Sequence, residues 1–410
     1  MTLTVQTFAY KGRDAQGKLV KGKLEAPSES AVVSRLRALG LTPVEITESA
    51  AGTGLNREIS LGAFEKGVKL KDLAVMSRQM ATMVGAGIPL LKSLTILSEQ
   101  TENKALARVL GIVRSQVESG SSLSEALARQ SEVFPPLMVH LVRAGEVGGF
   151  LDQALESIAS TFEADVKLRA TIKSAMTYPV IVLAMAILAV IGMLLFIVPI
   201  FEKMFADLGG ELPIPTQILV VLSRSMVWIT PVLVVGGVGF ALWWRRNKHS
   251  DRVRSAVDPI KLKLPVFGDL MKKVAIARFA RNFATMTKSG VPVLQSLGIV
   301  GDTSGNWVVQ EALHKVQDSV RVGKSIAQPL SEEPVFPPMV TQMIAVGEDS
   351  GAMEPMLNKI ADFYEEEVQT TTEQLTSLIE PLMIGFIGII IGGMIIALYL
   401  PIFTIFDQIN

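Results

Sequence analysis

A chain of 410 residues in which 39 basic side chains balance 39 acidic ones has no net charge to draw it to nucleic acid. It has no cysteine, which excludes disulfide scaffolds, thiol catalysis and thiolate metal sites, and its three histidines, His140, His249 and His314, are too scattered for a transition-metal centre. A mean hydropathy of +0.40 with only 19% charged residues is too apolar for an ordinary soluble protein, so apolar segments must account for it.

The first 14 residues lack the apolar core of a signal peptide, so the start of the chain is expected to stay in the cytoplasm. Residues 8–24 alternate around a turn at 14–17, the pattern of a β-hairpin. Ser28 can cap a helix reaching Leu39, and residues 43–47 suit a short strand. Residues 1–48 therefore read as a small α/β appendage, followed by a linker over 49–68 rich in glycine and small side chains.

Residues 69–173 read as a cytoplasmic bundle of about six helices. A helix over 73–84 ends at Gly85 and Gly87, and Pro89 opens the next. Asn103 can cap a helix reaching Glu118. Ser121 or Ser122 can cap a short one, with Glu125 completing a capping box. Phe134-Pro135-Pro136 turns a corner into a helix through His140, and after Gly148-Gly149 a long helix runs from Leu151 towards the membrane.

Residues 179–201 carry no charge and span about 34 Å as a helix, enough to cross a bilayer. A second span lies within 218–244, with Arg224 near one end and Trp243-Trp244 at the other, and residues 381–406 make a third. Lys167, Arg169 and Lys173 precede the first span, and Arg245, Arg246, Lys248, Arg252, Arg254, Lys261 and Lys263 follow the second. The loop at 202–217 carries one lysine against Glu202, Asp207 and Glu211. The basic flanks mark the cytoplasm, which leaves the loop and the tail at 407–410 outside.

The second polar unit, 245–378, repeats the first. Arg281 to Leu297 matches Arg78 to Leu94 at a spacing of 203 residues; Phe336-Pro337-Pro338 matches Phe134-Pro135-Pro136 at 202. At that spacing Gly347-Glu348 matches Gly145-Glu146, Gly351 matches Gly149, and Glu380-Pro381 stands where the first copy has Tyr178-Pro179. Gly290 and Pro292 answer Gly87 and Pro89. Pro199 and Pro401 also correspond, and the carbonyls they free near the end of a span are expected to reach water. The second span is then a connector that returns the chain to the cytoplasm, which makes the repeat parallel. The fold class is all-α, an integral membrane protein of two repeated bundles and three spans.

Catalysis finds little support. Glu146 and Glu348 lack a partner acid, base or nucleophile, and their place beside glycines at helix ends suits carboxylates that accept from free N–H groups. Gly323-Lys324-Ser325 lacks the glycine that a phosphate loop needs five residues earlier, where Asp318 stands. The acidic run at 365–367 reads as a solvated helix face. A transporter is a distant alternative, since the first and third spans hold no ionisable residue.

Taken in order and in duplicate, Gly87-Ile88-Pro89, Phe134-Pro135-Pro136, Gly145-Glu146-Val147-Gly148-Gly149 and Tyr178-Pro179, each set followed by a span, resemble the type II secretion system F family over nearly the whole chain. The resemblance implies an oligomeric platform in the bacterial inner membrane, without enzymatic activity or cofactor. Its implied partners are cytoplasmic assembly and retraction ATPases, pilin subunits and other inner-membrane alignment proteins of a type IV pilus. A platform for type II protein secretion is the alternative. Some secretion members hold a divalent cation with carboxylates around the Gly-Glu motif. Here Phe150 and Lys92 stand near where such ligands would be needed, so no metal is expected.

Overall fold

The computed structural model describes residues 6–13, 19–26, 29–38, 42–48, 67–207, 212–248, 250–265 and 267–409. The expected turn at 14–17, most of the 49–68 linker, and His249 lie outside the described residues. The chain divides into two compact units, Met1–Glu65 and Lys66–Asn410.

In the first unit, β1 (Gln6–Arg13), β2 (Leu19–Ala26) and β3 (Thr42–Glu48) form an antiparallel sheet in the order β2-β1-β3. Phe8 pairs with Leu24 on one side and Glu48 on the other, and the register slips between Lys11 and Gly12. Helix α1 (Glu29–Ala38) buries Val32 and Leu36, one turn apart on a single face.

The second unit contains both repeats. The first comprises α2 (Leu70–Gly85), α3 (Leu90–Gln100), α4 (Lys104–Glu118), α5 (Leu123–Ala128), α6 (Pro136–Gly148) and α7 (Leu151–Gly192). After a widened turn at Met193–Ile197, α8 (Val198–Asp207) continues the same rod. The connector α9 (Ile214–Asn247) and α10 (Asp251–Lys263) lead into the second copy. That copy comprises α11 (Phe267–Lys288), α12 (Val293–Thr303), α13 (Trp307–Arg321), α14 (Ala327–Glu332), α15 (Pro338–Ser350) and α16 (Met353–Ile409). Each helix from α11 to α16 takes the place of one from α2 to α7, while among the described residues α10 has no counterpart.

Local chemistry starts and stops these helices in the same way in both copies. Asn103 accepts from the N–H groups of Ala105 and Leu106, and Asn306 accepts from those of Val308 and Val309, so α4 and α13 begin with their first free donors satisfied. Pro89 and Pro292 stand at the caps of α3 and α12, where a missing N–H does no harm. Gly87 and Gly290 turn the chain before them at φ +80° and +69°, a region that side-chain-bearing residues seldom adopt. One apolar core then runs through both copies, with Met76, Met80, Phe134 and Leu155 of the first and Phe279, Phe283, Phe336 and Leu357 of the second all buried.

Three helical rods, Leu151–Phe205, Ile214–Asn247 and Met353–Pro401, are long and apolar enough to cross a membrane. Bundle and span are not separate elements. Helices α7 and α16 pass without a break through the expected boundaries at 173/174 and 378/379 and through Pro179 and Pro381, and α16 extends through most of the expected tail at 407–410. The expected loop at 202–217 is also shorter. α8 runs to Asp207, and Pro213 caps α9, so Thr216 is already helical.

Candidate functional site

The Gly-Glu motif is a joint between three helices. Glu146 projects from α6 to the start of α5, where its carboxylate accepts from the N–H of Leu123 at 2.5 Å and of Ser124 at 3.0 Å. The Ser122 hydroxyl accepts from the Glu125 N–H at 3.2 Å, so the short helix has its first donors served by two side chains. Glu348 of α15 does the same for α14, accepting from Ile326 at 2.9 Å and from Ala327 at 3.2 Å. A carboxylate at a helix start is favoured twice, by hydrogen bonds and by the helix dipole. Both carboxylates are half-buried and occupied by these bonds, which leaves Gly323-Lys324-Ser325 as the turn before α14.

The glycines beside them have separate tasks. A Cβ on Gly145 would stand 2.7 Å from the Ala154 Cβ and 3.0 Å from the Leu151 Cα; one on Gly347 would stand 3.1 Å from the Met353 Cα. These positions let α6 and α15 press against the starts of α7 and α16. Gly149 and Gly351 end their helices in the left-handed conformation, at φ +74° and +68°. Pro135-Pro136 and Pro337-Pro338 cap and open α6 and α15. Phe134 and Phe336 are buried before them, and the Phe336 ring packs edge-on against Phe279 at 5.2 Å. Tyr178 is exposed beside the buried Pro179 on α7, and Glu380 and Pro381 are exposed on α16. Phe134 to Gly149 and Phe336 to Gly351 thus gather at the α5–α6–α7 joint and its repeat, whereas Gly87 and Pro89, with Gly290 and Pro292, sit at the α2–α3 turn and its repeat, and Tyr178-Pro179 and Glu380-Pro381 sit apart along the rods.

Two arginines in equivalent positions tie each bundle to its rod. Arg78 of α2 donates to Glu156 at 2.5 Å, Ser160 at 3.3 Å and both oxygens of Glu163 at 2.7 and 2.8 Å, all on α7. Arg281 of α11 donates to Asn358 at 3.1 Å, Asp362 at 2.5 Å and Glu365 at 2.9 Å, all on α16. Hydrogen bonds from Arg78 hold the Glu163 carboxyl below the usual carboxylate range. Burial acts to lower the Arg281 guanidinium, but Glu365 and Asp362 outweigh it and its pKa rises. Sequence reading missed both clamps. Their signal is the spacing of three polar residues at 156, 160 and 163, matched at 358, 362 and 365, which puts each set on one helix face.

The copies also bond to each other. Arg278 reaches Asp165 of α7 at 2.8 Å, and the Thr161 and Thr285 hydroxyls lie 2.9 Å apart in a buried contact. Burial pulls the Arg278 guanidinium below its ordinary value against the pull of Asp165. A cleft of about 260 Å³ beside this seam is lined by Glu156, Arg281, Lys288 and Asn358. Among the described residues no cluster of three His, Asp or Glu could hold a metal ion.

Within the spans, α9 serves both repeats. Pro401 has no N–H for the Ala397 carbonyl, and the Thr216 hydroxyl of α9 donates to it at 2.5 Å. In the widened turn before α8, the Val198 N–H bonds to Met193, five residues back. Pro199 has nothing to offer the next carbonyl, Leu194, which takes a 2.5 Å hydrogen bond from Ser223. The carbonyls expected to reach water are thus bonded by hydroxyls of a neighbouring helix, the alternative that a buried site favours. Leu194, Val198, Leu219, Val220, Met394, Ala397 and Leu398 pack around them.

A family model described as type II secretion system protein F matches residues 76–199 and again 279–401. The chain belongs to the type II secretion system protein F family. The two matches coincide with the two structural repeats, and the family's N-terminal domain model matches residues 1–47. Relatives within the F family carry two kinds of name. The type IV pilus assembly protein PilC of Myxococcus xanthus is 43% identical over 98% of this chain and 96% of its own. PilC of Thermus thermophilus is 43% identical over 98% and 99%. The type II secretion system protein F of Vibrio cholerae is 32% identical over 96% and 97%.

Proposed function

We propose that the protein is the inner-membrane platform of a type IV pilus machine, coupling a cytoplasmic hexameric ATPase to the insertion and extraction of pilin subunits. The observation that carries this reading is the higher full-length identity to pilus assembly proteins than to secretion proteins. The same machine layout in a type II secretion system is the second reading, favoured by the family itself. The N-terminus and both bundles lie in the cytoplasm and the C-terminus outside, because the basic flanks at 167–173 and 245–263 mark the inner side. The protein carries out no reaction of its own. Its bundles face the motor and its spans face pilin, and several copies assemble together.

On this reading α7 and α16 are the transmitting parts, since each runs unbroken from bundle to span and is held to its bundle by an arginine clamp. The Gly-Glu joints keep the bundles in shape for the motor. The test uses the full chain in lipid nanodiscs, mixed with the hexameric ATPase of the same operon. Co-elution and a changed rate of ATP turnover are expected. Neither effect with a folded platform would contradict the coupling role.

A further inference from the structure

We propose that α10 and the adjoining end of α9 form a binding site for the phosphate headgroups of anionic phospholipids. The proposal rests on the reading that this end of α9 is cytoplasmic. From Arg245 to Lys263 seven cations face two acids, Asp251 and Asp258. Both acids are engaged. Asp258 is buried, accepting from the Trp307 N–H at 3.0 Å and from Lys261 at 2.9 Å, and Asp251 lies 3.9 Å from Arg254. Arg245, Arg246, Lys248, Arg252 and Lys263 are exposed, and among the described residues no carboxylate comes within ion-pair distance of them.

The depth of this cluster is set by aromatic rings. Phe240, Trp243 and Trp244 stand together at the end of α9, with ring centroids 6.0 to 6.4 Å apart, as in the belt where a span meets headgroups. The Lys261 ammonium lies 5.9 Å from the Trp244 ring centroid, so the far end of α10 returns to the level of the belt. Beside it Ile260 and Leu264 are 63% and 48% exposed. Cations next to unpartnered apolar side chains at this depth suit the boundary between headgroup and acyl chain. An acidic soluble partner would meet the charges but leave these apolar groups unexplained. Because Asp258 holds α10 to the start of α13, lipid bound here is fixed to the second bundle.

The test reconstitutes the full chain in mixed phosphatidylcholine and phosphatidylglycerol, extracts it mildly, and counts the retained lipids by native mass spectrometry. One variant carries R245Q, R246Q, K248Q and K263Q; a control carries K71Q, K92Q, K104Q and K359Q on the bundles. Each carries Ser250→Cys, a unique thiol in a cysteine-free chain, whose labelling by an impermeant reagent in intact cells, before purification, reports sidedness. Phosphatidylglycerol is expected to be enriched about fivefold, the worth of one cation at a charged surface. The enrichment should vanish in the first variant and persist in the control. No enrichment, or equal loss in both variants, with the thiol labelled from the cytoplasmic side, would overturn the lipid site alone. A thiol labelled from outside would overturn the orientation, and the lipid site with it.

Discussion

Thr216 donates its hydroxyl to the carbonyl of Ala397, which Pro401, four residues further on, has no N–H to serve. Ser223 does the same for Leu194 and Pro199 in the other repeat. The connector α9, which belongs to neither repeat, thus completes the backbone bonding of both. A double-mutant cycle tests this. Thr216→Val is expected to lower stability in mixed micelles by about 1 kcal/mol. In a Pro401→Ala background, where an N–H returns to Ala397, the same substitution should have little effect. Equal losses in both backgrounds would show that the hydroxyl does not stand in for the missing donor.

The close approach at Gly145 and Gly347 predicts that an added methyl destabilises each joint. Gly145→Ala and Gly347→Ala are each expected to lower stability by about 1–3 kcal/mol, because the facing atoms are backbone and Cβ atoms of α7 and α16 and have little room to yield. Gly111, inside α4 with nothing within 4 Å of its added Cβ, is the control. There alanine should raise stability by up to about 1 kcal/mol. Thermal unfolding of the three variants in one detergent compares them directly.

Removal of the Glu146 carboxylate leaves the Leu123 and Ser124 N–H groups without their acceptor. Glu146→Ala should lower stability by about 1–2 kcal/mol, and Glu146→Gln, which keeps one oxygen, by less. Amide exchange gives a local reading. Protection over Leu123–Ala128 should drop in the alanine variant while α2 and α4 keep theirs. Glu348→Ala should act in the same way on Ala327–Glu332.

The Arg78–Glu163 pair makes a pH-dependent contribution with a fixed sign. The folded carboxyl titrates below its ordinary value of 4.5, so on acidification the unfolded chain takes up its proton first. The stabilisation is complete above that ordinary value and is lost as pH falls through the lowered one. Both side chains are partly exposed, with Glu163 at 47%, so the effect is below about 1 kcal/mol. Arg78→Gln should therefore unfold earlier than the parent at neutral pH, and the gap should close in acid. A gap that widened in acid would assign the stability to another group.

What the sequence shows of this protein is what periodicity and self-similarity carry. The repeat, the three spans and the turn residues were legible because a helix writes its apolar face every three to four residues, and because the copies keep a constant spacing. Asn103 and Ser122 were legible as caps for the same local reason, since a cap acts on its own next turn. The arginine clamps and the α9 hydroxyls were not. Arg78 lies 78 to 85 residues from its acceptors, and Thr216 lies 181 from Ala397. Such pairs depend on how whole helices rotate against one another. Glu146 falls between these cases. Its neighbourhood of glycines pointed to a helix end, but the helix it caps is α5, 23 residues earlier.

The most direct test of the platform reading is deletion of the gene, with surface pili counted and secreted protein assayed in the same strain. Loss of pili and of twitching with secretion intact, restored by the gene in trans, is the expected result. Loss of secretion with pili intact would contradict it and place the same architecture in a secretion machine.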